Sequence, residues 1–237
     1  MKRIAIVTAR GGSKRIPKKN IKLFCGKPML AYGLEALLGS GLFDTIHVST
    51  DSDEVASVAA DLGFPPDFLR DPALADDYTG LAPVLDWVID EYKKRGQFFD
   101  QICCLMPNAP LLQSADLVKA FRIFEERNGA HPLVVFARFP VPVEWSFREV
   151  EPGVMSADSP PSILRRSQDF PHAYYECGPF TLWKPEHLES VNPLGDKVLS
   201  YIMPTERAVD IDTPDDWEYA ENLYRLSCLK TVTSRKF

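Results

Sequence analysis

The segment 8–22, TARGGSKRIPKKNIK, places a glycine pair and many cations directly after a short apolar run. Seven lysines and arginines lie within residues 10–27, and Glu35 is the first acidic residue of the chain. Gly11 and Gly12 can adopt φ > 0 and let backbone N–H groups approach an anion closely, while the flanking cations neutralise its charge. The pattern therefore predicts a polyphosphate-binding loop, for which a solvated basic loop is the alternative.

Two carboxylates near the end of the chain suit a divalent cation. The sequence VDID at 209–212 puts Asp210 and Asp212 two residues apart, so both project from one face if the segment is extended. Mg²⁺ prefers oxygen ligands and is commonly held by one or two carboxylates with waters and substrate phosphates. The pair predicts a magnesium site facing the basic loop, and a turn-forming acidic pair is the alternative. Asp215 and Asp216 are explained instead by a helix N-terminus.

The elements that position these residues follow an alternating pattern typical of an α/β fold with a mostly parallel sheet. Strands are predicted at 4–7, 45–49, 102–105 and 133–137. Helices are predicted from Pro28 to Gly39, over 81–92, after Ser114 and from Thr213 onward. Because ligands bind at the carboxyl ends of strands in such sheets, the basic loop lies where a nucleotide is expected.

Length and charge restrict the possible functions. The 237 residues predict one domain over 1–227, with a β-rich excursion at about 139–204 and a basic tail at 228–237. The net charge is −6 and the cations form one pocket-sized cluster, which argues against a nucleic-acid partner. The apolar run 4–7 is too short for a signal peptide or membrane span, so a cytoplasmic location without a membrane partner is expected. Five cysteines without ligand-like spacing predict neither disulfides nor a zinc site.

The basic loop has neither the G-x-x-x-x-G-K-[ST] nor the G-x-G-x-x-G pattern of common nucleotide-binding folds. Its sequence ARGGSKRIPKKNIKxFxGKPML closely resembles the opening motif of the cytidylyltransferases that activate nine-carbon acidic sugars, the acylneuraminate and CMP-nonulosonic acid synthetases. The resemblance continues through VSTDSDEVA, FLRDPALADDYTG, MPNAPL, RRSQDFPHAY and VDIDTPDDW. Within that family, RSQD and the following CGPF most resemble the members that use pseudaminic acid.

The resemblance implies a Rossmann-like nucleotidyltransferase fold, CTP and an acidic nine-carbon sugar as substrates, Mg²⁺ as cofactor, and a homodimer. Catalysis is then assigned to Arg10, Lys14, Lys19 and Asp212. Nucleotide binding is assigned to Arg10, Gly11, Gly12, Ser13, Asn20, Arg70, Thr79, Pro107 and Asn108. Asp77 is a further candidate for a ribose or phosphate contact.

The resemblance also implies a sugar site made by Arg166, Gln168, Tyr174 and Phe180. Arginine offers a bidentate fork for the sugar carboxylate, and the aromatic rings offer stacking faces, although a core position is the alternative for the rings. The expected reaction is cytidylyl transfer from CTP to pseudaminic acid. N-acetylneuraminate, legionaminate and Kdo are alternative sugars, a non-catalytic nucleotide-binding regulator is the alternative class, and the missing glycine fingerprint disfavours an NAD-dependent oxidoreductase.

Overall fold

The structure, a computed structural model, describes residues 1–76, 78–190 and 192–234, with the backbone alone for 230–234. Its strands are β1 (Arg3–Thr8), β2 (Leu23–Phe24), β3 (Lys27–Pro28), β4 (Thr45–Ser49), β5 (Gln101–Leu105), β6 (Leu133–Arg138), β7 (Phe147–Glu151), β8 (Val154–Ala157), β9 (Tyr174–Trp183) and β10 (Leu199–Ile202). Its α-helices are α1 (Met29–Ser40), α2 (Asp53–Asp61), α3 (Leu81–Lys94), α4 (Ser114–Glu126), α5 (Pro185–Leu188) and α6 (Pro214–Ser234).

The central sheet has six strands in the order β10-β6-β9-β5-β1-β4. The pairs β1–β4, β1–β5 and β6–β10 are parallel, which confirms the predicted α/β class with a mostly parallel sheet. Strand β9 runs antiparallel between β5 and β6. This strand lies within the β-rich excursion predicted at about 139–204, but it belongs to the central sheet. Gly178 has φ +67°, and the register of the β6–β9 pair shifts between Val134 and Phe136.

Helices cover both faces of β1, whose side chains alternate between two apolar cores. Ala5 and Val7 pack in the core that contains α1 and α4, whereas Ile4 and Ile6 pack in the core that contains α3. Helix α1 lies so close to β5 that a Cβ on Gly33 would come within 2.6 Å of Leu105 Cδ2. This packing fixes the end of β1, from which the basic loop starts.

The helix termini agree with the capping signals, except at the end of the chain. Gly41 ends α1 in the left-handed conformation, with φ +64°. The Asp216 carboxylate accepts the Thr213 backbone N–H at 2.8 Å at the start of α6, as expected for a helix N-terminus. The basic tail predicted to begin at 228 is in part helical, because α6 continues to Ser234. The helix continues because SCLKTVTS contains no glycine or proline to end it. Within the described ranges, no helix has the length and apolarity needed to cross a bilayer.

A buried ion pair holds the segment that leads to the predicted metal ligands. The Asp116 side chain on α4 is 1% exposed and accepts hydrogen bonds from both terminal nitrogens of Arg207. It also accepts the Tyr201 hydroxyl at 2.6 Å and the Gln113 N–H at 2.9 Å. Burial acts to raise the pKa of Asp116, but these hydrogen bonds bring it below its usual value. The pair therefore anchors residue 207, three positions before Asp210.

We expect Arg207→Met to lower the free energy of unfolding by about 3 kcal/mol, because it leaves the Asp116 carboxylate buried without its cation. Arg122→Met is the matched control, since the Arg122 side chain is 80% exposed and its pair with Glu126 is worth less than about 1 kcal/mol. Urea unfolding measures both. Equal losses for the two variants would contradict the anchoring role of Arg207.

Candidate active site

The basic loop is tied to the body of the protein at several points. The Ala9 N–H donates to Ser49 O at 3.0 Å, and the Asn20 amide donates to Arg10 O at 2.9 Å. The Ile16 side chain is buried with Phe24 of β2 and the start of α6. The loop therefore has a defined conformation, and its binding of a polyphosphate stays a prediction.

The φ angles of the glycine pair differ from the expectation, and its contact with the nucleotide stays a prediction. Neither Gly11 nor Gly12 is among the described residues with positive φ. The Gly11 N–H donates to Asp51 Oδ1 at 3.0 Å, so it is already bonded within the protein. A Cβ on Gly11 would stand 2.8 Å from Ser52 Cβ, whereas a Cβ on Gly12 meets nothing within 4 Å. Position 11 requires glycine because its backbone lies close to Ser52, the N-cap residue of α2, and not because it has a positive φ.

A cavity of about 330 Å³ opens at the carboxyl ends of β1 and β5. The basic loop, the segment after β5 and the VDID segment contribute its walls. Its lining residues are Thr8, Arg10, Ser13, Lys14, Arg15, Ile16, Lys19, Asn20, Met106, Pro107, Asn108, Asp210 and Asp212. Loop cations and carboxylates that are about 200 positions apart in sequence thus share one cavity at the place where open α/β sheets bind ligands.

The two aspartates reach the cavity because the residue between them is buried. Ile211 is fully buried in the same apolar cluster as Ile16. Asp210 Oδ1 accepts the Asn108 amide at 2.9 Å. Burial, followed by repulsion from Asp212, raises the pKa of Asp210. Buried and cavity-lining side chains therefore alternate at 210–212 as predicted, with Ile211 inward and both carboxylates lining the cavity.

Cations of the basic loop face Asp212 directly. The Arg15 guanidinium lies 2.6 Å from Asp212 Oδ2, and Lys19 Nζ lies 3.4 Å from Oδ1. Lys19 Nζ also donates to Ile211 O at 2.7 Å. Lys19 thus crosslinks the loop to the backbone of the carboxylate segment, and it holds the two walls of the cavity at a fixed separation.

The donor set fits a hard cation. Among the described residues there is no group of three or more His, Cys, Asp or Glu side chains that could hold a metal. Asp210 and Asp212 offer carboxylate oxygens that already repel each other. Two carboxylates, with water and phosphate oxygens completing the shell, match the way Mg²⁺ is usually bound, and a cavity lining without cysteine or histidine does not match a structural zinc site.

Some predicted nucleotide contacts lie outside the cavity lining. Arg70 is 5% exposed, and its guanidinium donates inward to Ser49 Oγ at 3.0 Å and to Ser49 O at 2.7 Å. The Thr79 N–H donates to the Asp76 carboxylate. The backbone carbonyl oxygen of Asp76 accepts a hydrogen bond from Arg10 Nη1 at 2.8 Å. Asp77 lies outside the described residues. Base and ribose contacts by Arg70 and Thr79 stay predictions.

The predicted sugar residues are not brought together with this cavity. Arg166 pairs with Asp169 at 3.3 Å, and Gln168 lines a second cavity of about 370 Å³ in the excursion. Tyr174 is 44% exposed at the start of β9. Phe180 is 1% exposed and its ring stacks on Tyr201, so the prediction that it stacks on a sugar is wrong. Its place on β9, in the centre of the sheet, makes it a core residue.

Sequence reasoning did not assign roles to Thr8, Arg15 and Ile16, although all three line the cavity. The Thr8 hydroxyl lies 3.5 Å from Met106 Sδ, across the ends of β1 and β5. Arg15 is part of the cation cluster that the sequence shows, but its partner Asp212 lies 197 positions away, so no local pattern could have identified the pair.

Comparisons with known proteins agree with this geometry. A family model described as Cytidylyltransferase matches residues 4–232. The chain belongs to the cytidylyltransferase family. It is 35% identical over 228 residues to pseudaminic acid cytidylyltransferase of Campylobacter jejuni subsp. jejuni serotype O:23/36 (strain 81-176), covering 96% of this chain and 98% of that protein. It is 27% identical to CMP-N,N'-diacetyllegionaminic acid synthase of Legionella pneumophila, at the same coverages.

Other cytidylyltransferases show how far the similarity extends. N-acylneuraminate cytidylyltransferase A of Danio rerio is 32% identical over 221 residues. The match covers 92% of this chain and 49% of that protein. The solved structure of CMP:2-keto-3-deoxy-manno-octonic acid synthetase complexed with CTP superposes with a TM-score of 0.70 at 15% identity, covering 96% of this chain and all of that chain. This structural match confirms the predicted fold.

We expect Gly11→Ala to destabilise the protein by about 1–3 kcal/mol, because the new methyl group overlaps Ser52 Cβ at the start of α2. Gly12→Ala adds the same methyl group in open space and is the control. Thermal unfolding of the two variants compares them directly. If Gly12→Ala lowered the stability as much as Gly11→Ala, loop flexibility, and not the contact with Ser52, would be the cause of the destabilisation.

Proposed function

We propose that this cytidylyltransferase transfers the cytidylyl group of CTP to a nonulosonic acid, with pseudaminic acid as the sugar. The observation that carries the proposal is the single cavity in which the cations of the basic loop face Asp210 and Asp212. The substrate follows from the 35% identity over nearly the full length of both chains to a protein named for pseudaminic acid. The cytoplasmic location expected from the sequence stays a prediction.

In this reaction the anomeric hydroxyl oxygen of the sugar attacks the α-phosphorus of CTP. A new P–O bond forms, the bond from the α-phosphorus to the β-phosphate oxygen breaks, and pyrophosphate leaves with the electron pair. The hydroxyl proton passes to solvent or to a base. Phosphoryl-type transfer of this kind is catalysed mainly by positioning and by neutralising the charge that develops.

The cations of the basic loop suit that task. Arg10 and Lys14 line the cavity from the loop, with Ser13 beside them. We assign them to the triphosphate, where they neutralise charge on the departing pyrophosphate. Lys19 adds positive charge and keeps the loop at a fixed distance from the carboxylate segment through its bond to Ile211 O. Asn20 acts on Arg10 by holding its carbonyl oxygen.

Asp210 and Asp212 are the residues that would hold Mg²⁺. Bound there, the cation would polarise the α-phosphate and lower the pKa of the sugar hydroxyl. The Asn108 amide orients the Asp210 carboxylate, and the buried side chain of Ile211 fixes the backbone between the two ligands. The chain thereby presents two oriented carboxylates without requiring a third protein ligand.

The residues predicted to bind the sugar lie apart from the nucleotide cavity. Arg166, Gln168 and Tyr174 lie in the excursion between β6 and β9. We propose that this region meets the nucleotide cavity only when two copies associate. N-acetylneuraminate and legionaminate remain the alternative sugars, supported by the relatives named for them. A non-catalytic CTP-binding regulator is the alternative class, and the oriented carboxylate pair disfavours it.

We predict that the protein releases pyrophosphate from CTP and Mg²⁺ with pseudaminic acid, and far more slowly with N-acetylneuraminic acid, legionaminic acid or Kdo. Asp212→Asn should lower the rate by at least about 100-fold, since changes outside the metal shell alone cost 10- to 100-fold. Asp215→Asn, which alters only the first turn of α6, is the control. Normal turnover by Asp212→Asn at low Mg²⁺ would contradict the assignment of Asp212 as a metal ligand. CTP binding without pyrophosphate release for any sugar would favour the non-catalytic regulator.

We also propose a homodimer formed through the excursion. Its β7–β8 hairpin and flanking turns expose several large apolar side chains, which an interface between two copies would bury. These side chains are Val141, Phe147, Val150, Val154, Met155 and Leu164. A second copy is the partner that the family resemblance implies.

We expect the protein to sediment as a dimer and Met155→Glu to shift it to monomer, because the variant places a charge within this apolar surface. Leu38→Glu is the control, since Leu38 is 65% exposed at the end of α1, outside the excursion. Light scattering after size-exclusion chromatography gives the mass of each. A monomeric unaltered protein would refute the dimer, and a dimeric Met155→Glu variant would place the interface elsewhere.

A further inference from the structure

Arg15 forms an ion pair with a carboxylate oxygen of Asp212, which the proposed metal site uses as a ligand. Its guanidinium lies 2.6 Å from Asp212 Oδ2, and the Asp212 side chain is 31% exposed. Asp212 Oδ1 faces Lys19 at the longer distance of 3.4 Å. A divalent cation held by Asp210 and Asp212 would compete with the guanidinium of Arg15 for the carboxylate.

The two cations that face Asp212 differ in how firmly they are held. The Lys19 side chain is 18% exposed, and its ammonium group donates to Ile211 O at 2.7 Å, so it is anchored apart from its ion pair. The Arg15 side chain is 69% exposed. An exposed ion pair contributes little to stability, since solvent screens it and ordering a long side chain costs entropy. Arg15 is therefore the cation that can leave.

Electrostatics gives a reason for the exchange. Asp210 and Asp212 line one cavity, and Arg15 pairs with Asp212 alone, whereas a divalent cation held by both carboxylates would offset both negative charges. We propose that Arg15 is an exchangeable counterion: it neutralises Asp212 in the metal-free protein and is displaced from Oδ2 when a divalent cation binds. The inference rests on the proposed function, since it takes Asp210 and Asp212 as the metal ligands.

Displacement keeps Arg15 within the site. The residue lines the same cavity as Arg10, Ser13 and Lys14, so a released guanidinium remains beside the groups assigned to the triphosphate. One side chain would then hold the carboxylates in the empty protein and add positive charge to the anion-binding wall after the metal has bound. Binding of the metal and of the anion would be coupled through it.

The test is Mn²⁺ binding to the nucleotide-free protein, followed by the electron paramagnetic resonance signal of free Mn²⁺. Arg15→Gln removes the counterion. Lys18→Gln is the matched control, because Lys18 lies in the same loop, is 64% exposed and pairs with Glu54. Both variants remove one positive charge at an exposed position, so a general change in net charge affects them equally.

We expect Arg15→Gln to bind Mn²⁺ about threefold to fivefold more tightly than the unaltered protein, and Lys18→Gln to change the affinity by less than about twofold. Equal or weaker Mn²⁺ binding by Arg15→Gln would overturn the inference, as would an equal gain in affinity for Lys18→Gln.

Pyrophosphate release by the unaltered protein separates failure of this inference from failure of the proposed function. Mg²⁺-dependent turnover without a difference between the variants would leave the function standing and remove the counterion role. If none of the three proteins bound Mn²⁺ without nucleotide, the inference would fail, whereas Mg²⁺-dependent pyrophosphate release would still support the carboxylate metal site.

Discussion

The site depends on one small apolar cluster that joins two distant parts of the chain. Ile16 of the basic loop and Ile211 of the VDID segment are both buried with Phe24 and Trp217, whose rings meet edge to face at 5.5 Å. Burying these side chains supplies the free energy that holds a cationic segment against an anionic one. Because side chains alternate along an extended segment, placing Ile211 inward turns its two acidic neighbours toward the cavity.

Charge then determines how the cavity can be used. Excess negative charge at Asp210 and Asp212 is offset on one side by Lys19 and Arg15, while Arg10 and Lys14 face the same space. In a chain of net charge −6, such a concentration of cations favours a polyanionic ligand over an acidic protein surface. The carboxylates are close enough to repel, and the divalent cation that we propose there would offset that repulsion.

Much of this arrangement could be predicted from sequence, because local rules decide it. The apolar runs and caps correctly predicted β1 and α1, and the spacing of VDID correctly predicted that Asp210 and Asp212 share a face. The failures arise where distant contacts decide. Gly11 is required by the approach of Ser52, a residue 41 positions away, and not by its own φ. Phe180 lies in the sheet core because β9 inserts antiparallel between β5 and β6, a choice that tertiary packing makes.

The pairing of the basic loop with the two aspartates is tested most directly by diffraction from crystals grown with CTP and Mn²⁺, using the anomalous signal of manganese. We predict a manganese peak within bonding distance of the Asp210 and Asp212 carboxylates, with the triphosphate along the wall formed by Arg10, Ser13 and Lys14. Manganese bound elsewhere, or a triphosphate that does not contact residues 10–14, would contradict this assignment of the site.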